Sequence, residues 1–207
     1  IIGYLTLLTE EKEISANMQE KYMKIVLDKS LRVEELINQF FDITRYNLRN
    51  MPIKKENINL SFLIDQLIDE CYPMLEQRNL KYHIDKPHNI EYFGDGDKLA
   101  RAFENLLKNA INYSYENSEI QIVLKETPED IQITFKNQGE KIPKYKLDKM
   151  FEKFYRIDES RTTKTGGAGL GLAITKEIIE LHNGTIEVKN EDEWIEFKIK
   201  LKNTSKA

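Results

Sequence analysis

The chain has 207 residues, 40% hydrophobic and 32% charged, the composition of a globular protein with enough apolar mass for a core. Its formal charge of −4 argues against nucleic acid as a partner, because such binders carry a basic excess. A lone cysteine, Cys71, excludes an internal disulfide, and no apolar run approaches a membrane span; with no signal peptide in view, a reducing cytoplasmic setting is expected.

The chain opens on Ile1-Ile2-Gly3-Tyr4 without an initiator Met, as though a helix had been entered part-way along. Ile1–Leu8 is predicted to be a helix end that turns at Thr9–Glu13 and packs back on a long helix over residues 15–50. That stretch has neither Pro nor Gly, and Val26, Val33, Leu36, Ile37, Phe40 and Ile43 recur mostly at separations of three, four and seven. Ser15 is placed to cap its start, and Pro52 supplies its stop. Such a long helix suggests a bundle or coiled coil, although periodicity alone equally allows an amphipathic helix lying on its own domain. Residues 1–52 therefore form one expected domain and residues 53–207 a second.

Beyond Pro52, Ile58–Leu60 reads as a short strand and Phe62–Leu75 as a helix, which Pro73 is expected to kink or end. Leu80–Ile84 and Ile90–Phe93 read as strands flanking the turn at Lys86–Asn89. Asp95–Tyr113 is strongly amphipathic, with Leu99, Phe103, Leu106, Leu107, Ala110 and Ile111 on one side. Ile120–Lys125 and Ile131–Lys136 alternate like paired strands. Residues 137–166 are polar and read as irregular. A helix over Leu170–His182 and a hairpin of Gly184–Lys189 with Trp194–Lys200 complete the chain. The fold class predicted is α+β, a helical hairpin followed by a mixed sheet covered by helices on one face.

Four constellations carry chemistry. Asn105 and Asn109 lie one turn apart on a helix, and two amide oxygens so placed suit Mg²⁺, which takes a few protein oxygens and keeps phosphate and water. Solvated asparagines are the plainer reading. Asn137-Gln138-Gly139, running on to Ile142-Pro143, leaves a strand where a polar side chain can meet a base edge; a simple loop explains it as well. Phe151–Arg156 is an aromatic cluster within Lys141–Lys164, a segment with eight Lys/Arg against four Asp/Glu, suited to closing over a polyphosphate or to lying solvated. Finally Gly166-Gly167-Ala168-Gly169-Leu170-Gly171 runs into a helix, whose N-terminus favours anions. It follows no strand of a βαβ unit, which excludes the dinucleotide fingerprint, and there is no GxxxxGK[ST] loop.

In this order the four stretches resemble the sensor histidine kinases of two-component systems: Asn105–Tyr113 looks like their N box, Asn137–Pro143 their first glycine box, Phe151–Arg156 their F box and Gly167–Gly171 their second glycine box. Gly94-Asp95 and Leu99-Ala100-Arg101 match too, residues 1–52 look like the dimerisation and phosphotransfer hairpin, and the lid most resembles the VanS-type vancomycin-resistance sensors. The resemblance implies a Bergerat-type α/β sandwich that binds ATP with Mg²⁺. Asn105 and Asn109 are then the metal ligands and Asn137 reads adenine, beside Gly139 and Ile142. Tyr113 packs near the base, while Gly167, Gly169, Leu170 and Gly171 admit the phosphates under a lid anchored at Phe151. It further implies a homodimer through the hairpin, a response-regulator receiver domain as partner, and the cytoplasmic part of a membrane-anchored sensor.

Departures accompany the resemblance. Asn137 stands where an Asp is usual, Lys141 where a second glycine is, and Asn112 where a Lys commonly holds phosphate; Lys153, Arg156 or Lys164 are candidates to replace that cation. The phosphoacceptor histidine is expected upstream of Ile1, since His83, His88 and His182 all read as structural or solvated. The expected function is transfer of the ATP γ-phosphoryl to that histidine and on to a response regulator. The alternatives are a non-catalytic nucleotide-binding or dimerisation module, or an ATPase of the gyrase and heat-shock superfamily. The last is disfavoured because Asn105 replaces the Glu that activates water.

Overall fold

A computed structural model of the chain describes residues 1–10, 14–46, 53–157 and 169–203. The chain divides into two compact units, residues 1–48 and 49–207. The predicted helix stop at Arg49–Pro52 and most of the turn at Thr9–Glu13 lie outside the described residues.

In the first unit α1 (Ile2–Glu10) packs on the 31-residue α2 (Ala16–Tyr46), with the Tyr4 and Tyr22 rings 5.3 Å apart. The Ser15 hydroxyl accepts from the Met18 amide at 3.4 Å, the cap expected from sequence. No residue of α1 is buried, and α2 exposes Met18, Met23, Leu27, Leu31, Val33 and Ile37.

The second unit runs β1 (Glu56–Asn59), α3 (Leu60–Gln77), β2 (Lys81–Asp85), β3 (Glu91–Gly94), α4 (Gly96–Tyr113), β4 (Glu119–Glu126), β5 (Asp130–Gln138), α5 (Lys144–Leu147), α6 (Gly171–Leu181), β6 (Thr185–Glu191) and β7 (Trp194–Lys202). Five strands form one mixed sheet in the order β2-β4-β5-β7-β6, with β2 parallel to β4 and the other pairs antiparallel. Period-two alternation puts Ile120, Ile122, Ile131, Ile133, Phe135, Phe197 and Ile199 on one face, all at most 1% exposed. Leu60, Ile64 and Leu67 of α3, Leu99, Phe103 and Leu106 of α4, and Ile174 and Ile178 of α6 complete the core. Each such side chain contributes about 1.5–3 kcal/mol by leaving water. Gln121, Thr134, Lys136, Glu196 and Lys198 alternate with the buried set, so one face is covered by helices, as expected.

Four expectations are corrected. Leu60 opens α3 instead of closing a strand, because the Asn59 side chain caps the helix by accepting from the Phe62 amide at 3.0 Å. Pro73 does not end α3, which continues to Gln77; the proline withholds the donor that the Asp69 carbonyl would take, and both residues are exposed. β2 and β3 are not partners: β2 joins the main sheet beside β4, and β3 forms a separate antiparallel pair with β1. Within residues 137–166, Lys144–Leu147 makes a helical turn.

Candidate functional site

Helix α4 is held at both ends. At its start, the Asp95 carboxylate accepts from the backbone of Lys98 at 3.1 Å and of Lys54 at 3.0 Å, and pairs with the Lys98 ammonium at 2.6 Å. Burial opposes the charge on Asp95, but these donors outweigh it and hold its pKa below the ordinary value. At its end, Arg78 donates to the carbonyls of Ile111 and, at 2.8 Å, Ser114, and the Ser114 hydroxyl donates to Ala110 O at 2.6 Å. Between these anchors Asn105, Asn109, Asn112 and Tyr113 are all half-buried.

Asn105 faces α6. Its Nδ2 donates to Gly171 O at 3.2 Å and Thr175 Oγ1 at 3.4 Å, so half of this amide ties two helices together. Among the described residues no hydrogen bond engages the Asn109 side chain, leaving its carbonyl oxygen open to a ligand. No group of three His, Cys, Asp or Glu able to hold a metal exists among the described residues. A cation here would therefore depend on neutral amide oxygens and on oxygens brought by its own counter-ion, a donor set that fits Mg²⁺ carried on a phosphate.

Asn137, near the end of β5, pairs in register with Ile120 and Ile195, which puts its side chain on the helix-covered face. It is 1% exposed, and its Nδ2 has no hydrogen-bond partner. Gly139 follows, bridged to Ser114 and donating to Glu193 O at 2.8 Å. A Cβ at Gly139 would stand 2.6 Å from Tyr113 O, so only glycine lets the strand end meet the end of α4. Ile142 is 9% exposed and donates its amide to the Asn190 side chain.

The aromatic segment is anchored by Phe151, edge-on to Phe197 with centroids 6.4 Å apart. Phe154 is 65% exposed at φ +66°, and its amide donates to Gly169 O at 3.0 Å. Gly169 has φ +74°, and a Cβ there would lie 2.7 Å from Tyr155 O. Its described constraint is thus close packing on the aromatic segment, a role the sequence reading did not assign. Leu170, 2% exposed, precedes α6 as its N-cap without a side-chain cap bond. Gly171 is 3.6 Å, measured from its absent Cβ, from the Asn105 amide. Lys153 pairs with Glu177 of α6 at 2.9 Å, and Arg156 is also engaged, so both cations have protein partners already. Lys164 and Gly167 lie outside the described residues.

Arg78, Glu177 and the contact of His182 with Asp95 were missed in the sequence reading. Each joins elements distant in the chain, and no local pattern announces such a bond. His182 Nε2 accepts from the Asp95 amide at 3.0 Å, and Nδ1 lies 2.8 Å from Ile178 O. It also closes α6 as the C-cap, the structural role expected of it.

The family model described as "histidine kinase-, DNA gyrase B-, and HSP90-like ATPase" matches residues 94–205, from Gly94 through α4, β5 and α6 into the last strand. The chain belongs to this family. Sensor protein VanS of Enterococcus faecium is 47% identical over 201 residues, covering 97% of this chain and 52% of that relative. The chain therefore spans about half the length of the curated relatives it matches. Among solved structures, the Acinetobacter baumannii histidine kinase AdeS superposes with a TM-score of 0.81 at 19% identity, over 98% of this chain and 93% of that one. The histidine kinase ThkA, solved in complex with the response regulator TrrA, superposes at 0.75 and 20% identity, over all of this chain and 60% of that one. These two likenesses confirm the fold, and the sequence relative makes the chain VanS-like. Its second unit carries the ATP-binding domain of this family. Among the described residues no helix is long and apolar enough to cross a membrane.

Proposed function

We propose that the chain is the ATP-binding kinase portion of a two-component sensor, passing the γ-phosphoryl of Mg·ATP to a histidine and from there to the receiver domain of a response regulator. The observation that carries this reading is Asn137: a buried amide whose Nδ2 has no protein partner, beside a glycine that admits close backbone approach. A buried donor left unpaired costs about 1–3 kcal/mol, which a ligand recovers by pairing with it. In the proposed mode Asn137 reads the adenine edge beside Tyr113, Gly139 and Ile142. Asn109 and the free oxygen of Asn105 hold Mg²⁺, which supplies charge neutralisation on the phosphates. Gly167, Gly169, Leu170 and Gly171 form the phosphate end, with Asn112, Lys153, Arg156 and Lys164 around it and the Phe151 segment as lid. The protein's work is positioning and charge compensation, not covalent chemistry.

None of the histidines in this chain suits the acceptor role. His182 is buried with both ring nitrogens facing backbone groups, while His83 and His88 lie on or beside β2. The acceptor belongs to the longer protein, with residues 1–52 as the lower part of its hairpin, paired with a second copy on the cytoplasmic side of a membrane. Residue 105 is an Asn, so α4 brings no carboxylate there to activate water, which favours phosphotransfer over hydrolysis. Incubating the full-length protein with radiolabelled Mg·ATP tests this. Acid-labile, base-stable label is expected; ATP affinity without label would leave only a nucleotide-binding module.

A further inference from the structure

We propose that the base pocket accepts 6-oxopurine nucleotides, of which inosine diphosphate is the simplest probe, about as readily as adenine nucleotides. The inference rests on the reading of Asn137 as the base contact and concerns what an amide at that position selects. Adenine presents a donor at its 6-amino group beside an acceptor at N1. Hypoxanthine presents the reverse, an acceptor at O6 beside a donor at N1. A carboxamide carries one donor arm and one acceptor arm side by side, so it can pair with either edge by choosing which arm faces which atom. A carboxylate only accepts; an oxygen aimed at the 6-position suits the 6-amino group and meets O6 as acceptor against acceptor, which leaves only N1–H of hypoxanthine for it to pair with.

Two features of the structure allow this choice. First, among the described residues no hydrogen bond holds the Asn137 side chain, and Nδ2 is buried and unpartnered. A half-turn of the amide, which exchanges Oδ1 and Nδ2, therefore breaks no protein hydrogen bond. Second, no described group hydrogen-bonds the amide into one sense, although the Tyr113 carbonyl abuts the same Gly139. Its register neighbours Ile120 and Ile195 are apolar, and the missing Cβ of Gly139 lies 3.3 Å from Nδ2. Where an amide is to be fixed in one sense, a neighbouring donor or acceptor must fix it, as Gly171 O and Thr175 do for Asn105. Among the described residues no group hydrogen-bonds Asn137 in this way.

Isothermal titration of the 1–207 chain with ADP and with IDP decides the matter. The two affinities are expected within about tenfold of each other, and Asn137→Asp is expected to widen the gap by about tenfold or more, through weaker IDP binding. A wild-type preference for ADP above about a hundredfold overturns the proposal, as does an unchanged ratio in a folded Asn137→Asp. If that variant does not fold, the wild-type ratio alone decides. A chain that binds neither nucleotide removes the pocket reading itself, a failure distinct from tight ADP binding with IDP excluded.

Discussion

His182 uses both ring nitrogens on backbone groups, accepting from Asp95 N–H at Nε2 and facing Ile178 O at Nδ1, which fixes the neutral tautomer protonated at Nδ1. Burial lowers its pKa; the Ile178 carbonyl and the Asp95 carboxylate pull the other way, and Lys55 and Lys98 add to the lowering. A histidine whose folded pKa lies below its unfolded value binds fewer protons when folded. Its contribution to stability is complete above the ordinary value of about 6.5 and is lost as pH falls through the folded pKa. Stability of the second unit should therefore decline on acidification below about pH 6.5, before the carboxylates titrate. Urea midpoints measured from pH 8 to pH 5 check this, with His182→Gln expected to flatten that part of the profile. Asp95, whose pKa is lowered, gives up its own contribution only at lower pH, as it protonates.

At the scale of elements, α4 was legible almost to the residue from its apolar stripe, and the structure caps that helix at Asp95 and ends it at Ser114. The pairing of β2 with β4 was not legible. A parallel pairing leaves no turn between its strands in the sequence, whereas the β4–β5 and β6–β7 hairpins do. The site shows the same division. Asn105 and Asn109 stand out by their helical spacing, and Asn137 and Gly139 by the strand end they leave and the family resemblance, whereas Arg78, which donates to two carbonyls at the end of α4, carries no local signal. Each hydrogen bond from a charged group is worth about 1.5–3 kcal/mol, so Arg78→Ala should cost about 2–4 kcal/mol in urea unfolding. Because the carbonyl of Tyr113 abuts Gly139, ADP affinity should fall as well, with Arg78→Lys recovering part of both. Gly169 makes a second case at this scale. Its left-handed φ alone should cost Gly169→Ala about 1–2 kcal/mol, and overlap with the backbone of Phe154 and Tyr155 adds to that. The same variant should weaken nucleotide binding by displacing the aromatic segment, a loss that calorimetry would register.

For the molecule as a whole, the two units differ in how they are stabilised. The second buries side chains from four strands, β3, β4, β5 and β7, and from helices α3, α4 and α6, and has a core sufficient to fold alone. The first has no buried residue in α1 and exposes Met23, Leu27 and Leu31 at helical spacing along α2, with Val33 and Ile37 beside them. Two helices cannot enclose that stripe; a second pair can, in the manner of a four-helix bundle. Residues 53–207 should therefore unfold cooperatively and sediment as a monomer, while residues 1–207 sediment as a dimer. Leu27→Glu combined with Leu31→Glu places charge in the stripe and should return the longer chain to a monomer without changing its affinity for ADP. A dimer that survives both substitutions would put the interface elsewhere, and a monomeric 1–207 chain would mean that the stripe is covered only by residues beyond this segment.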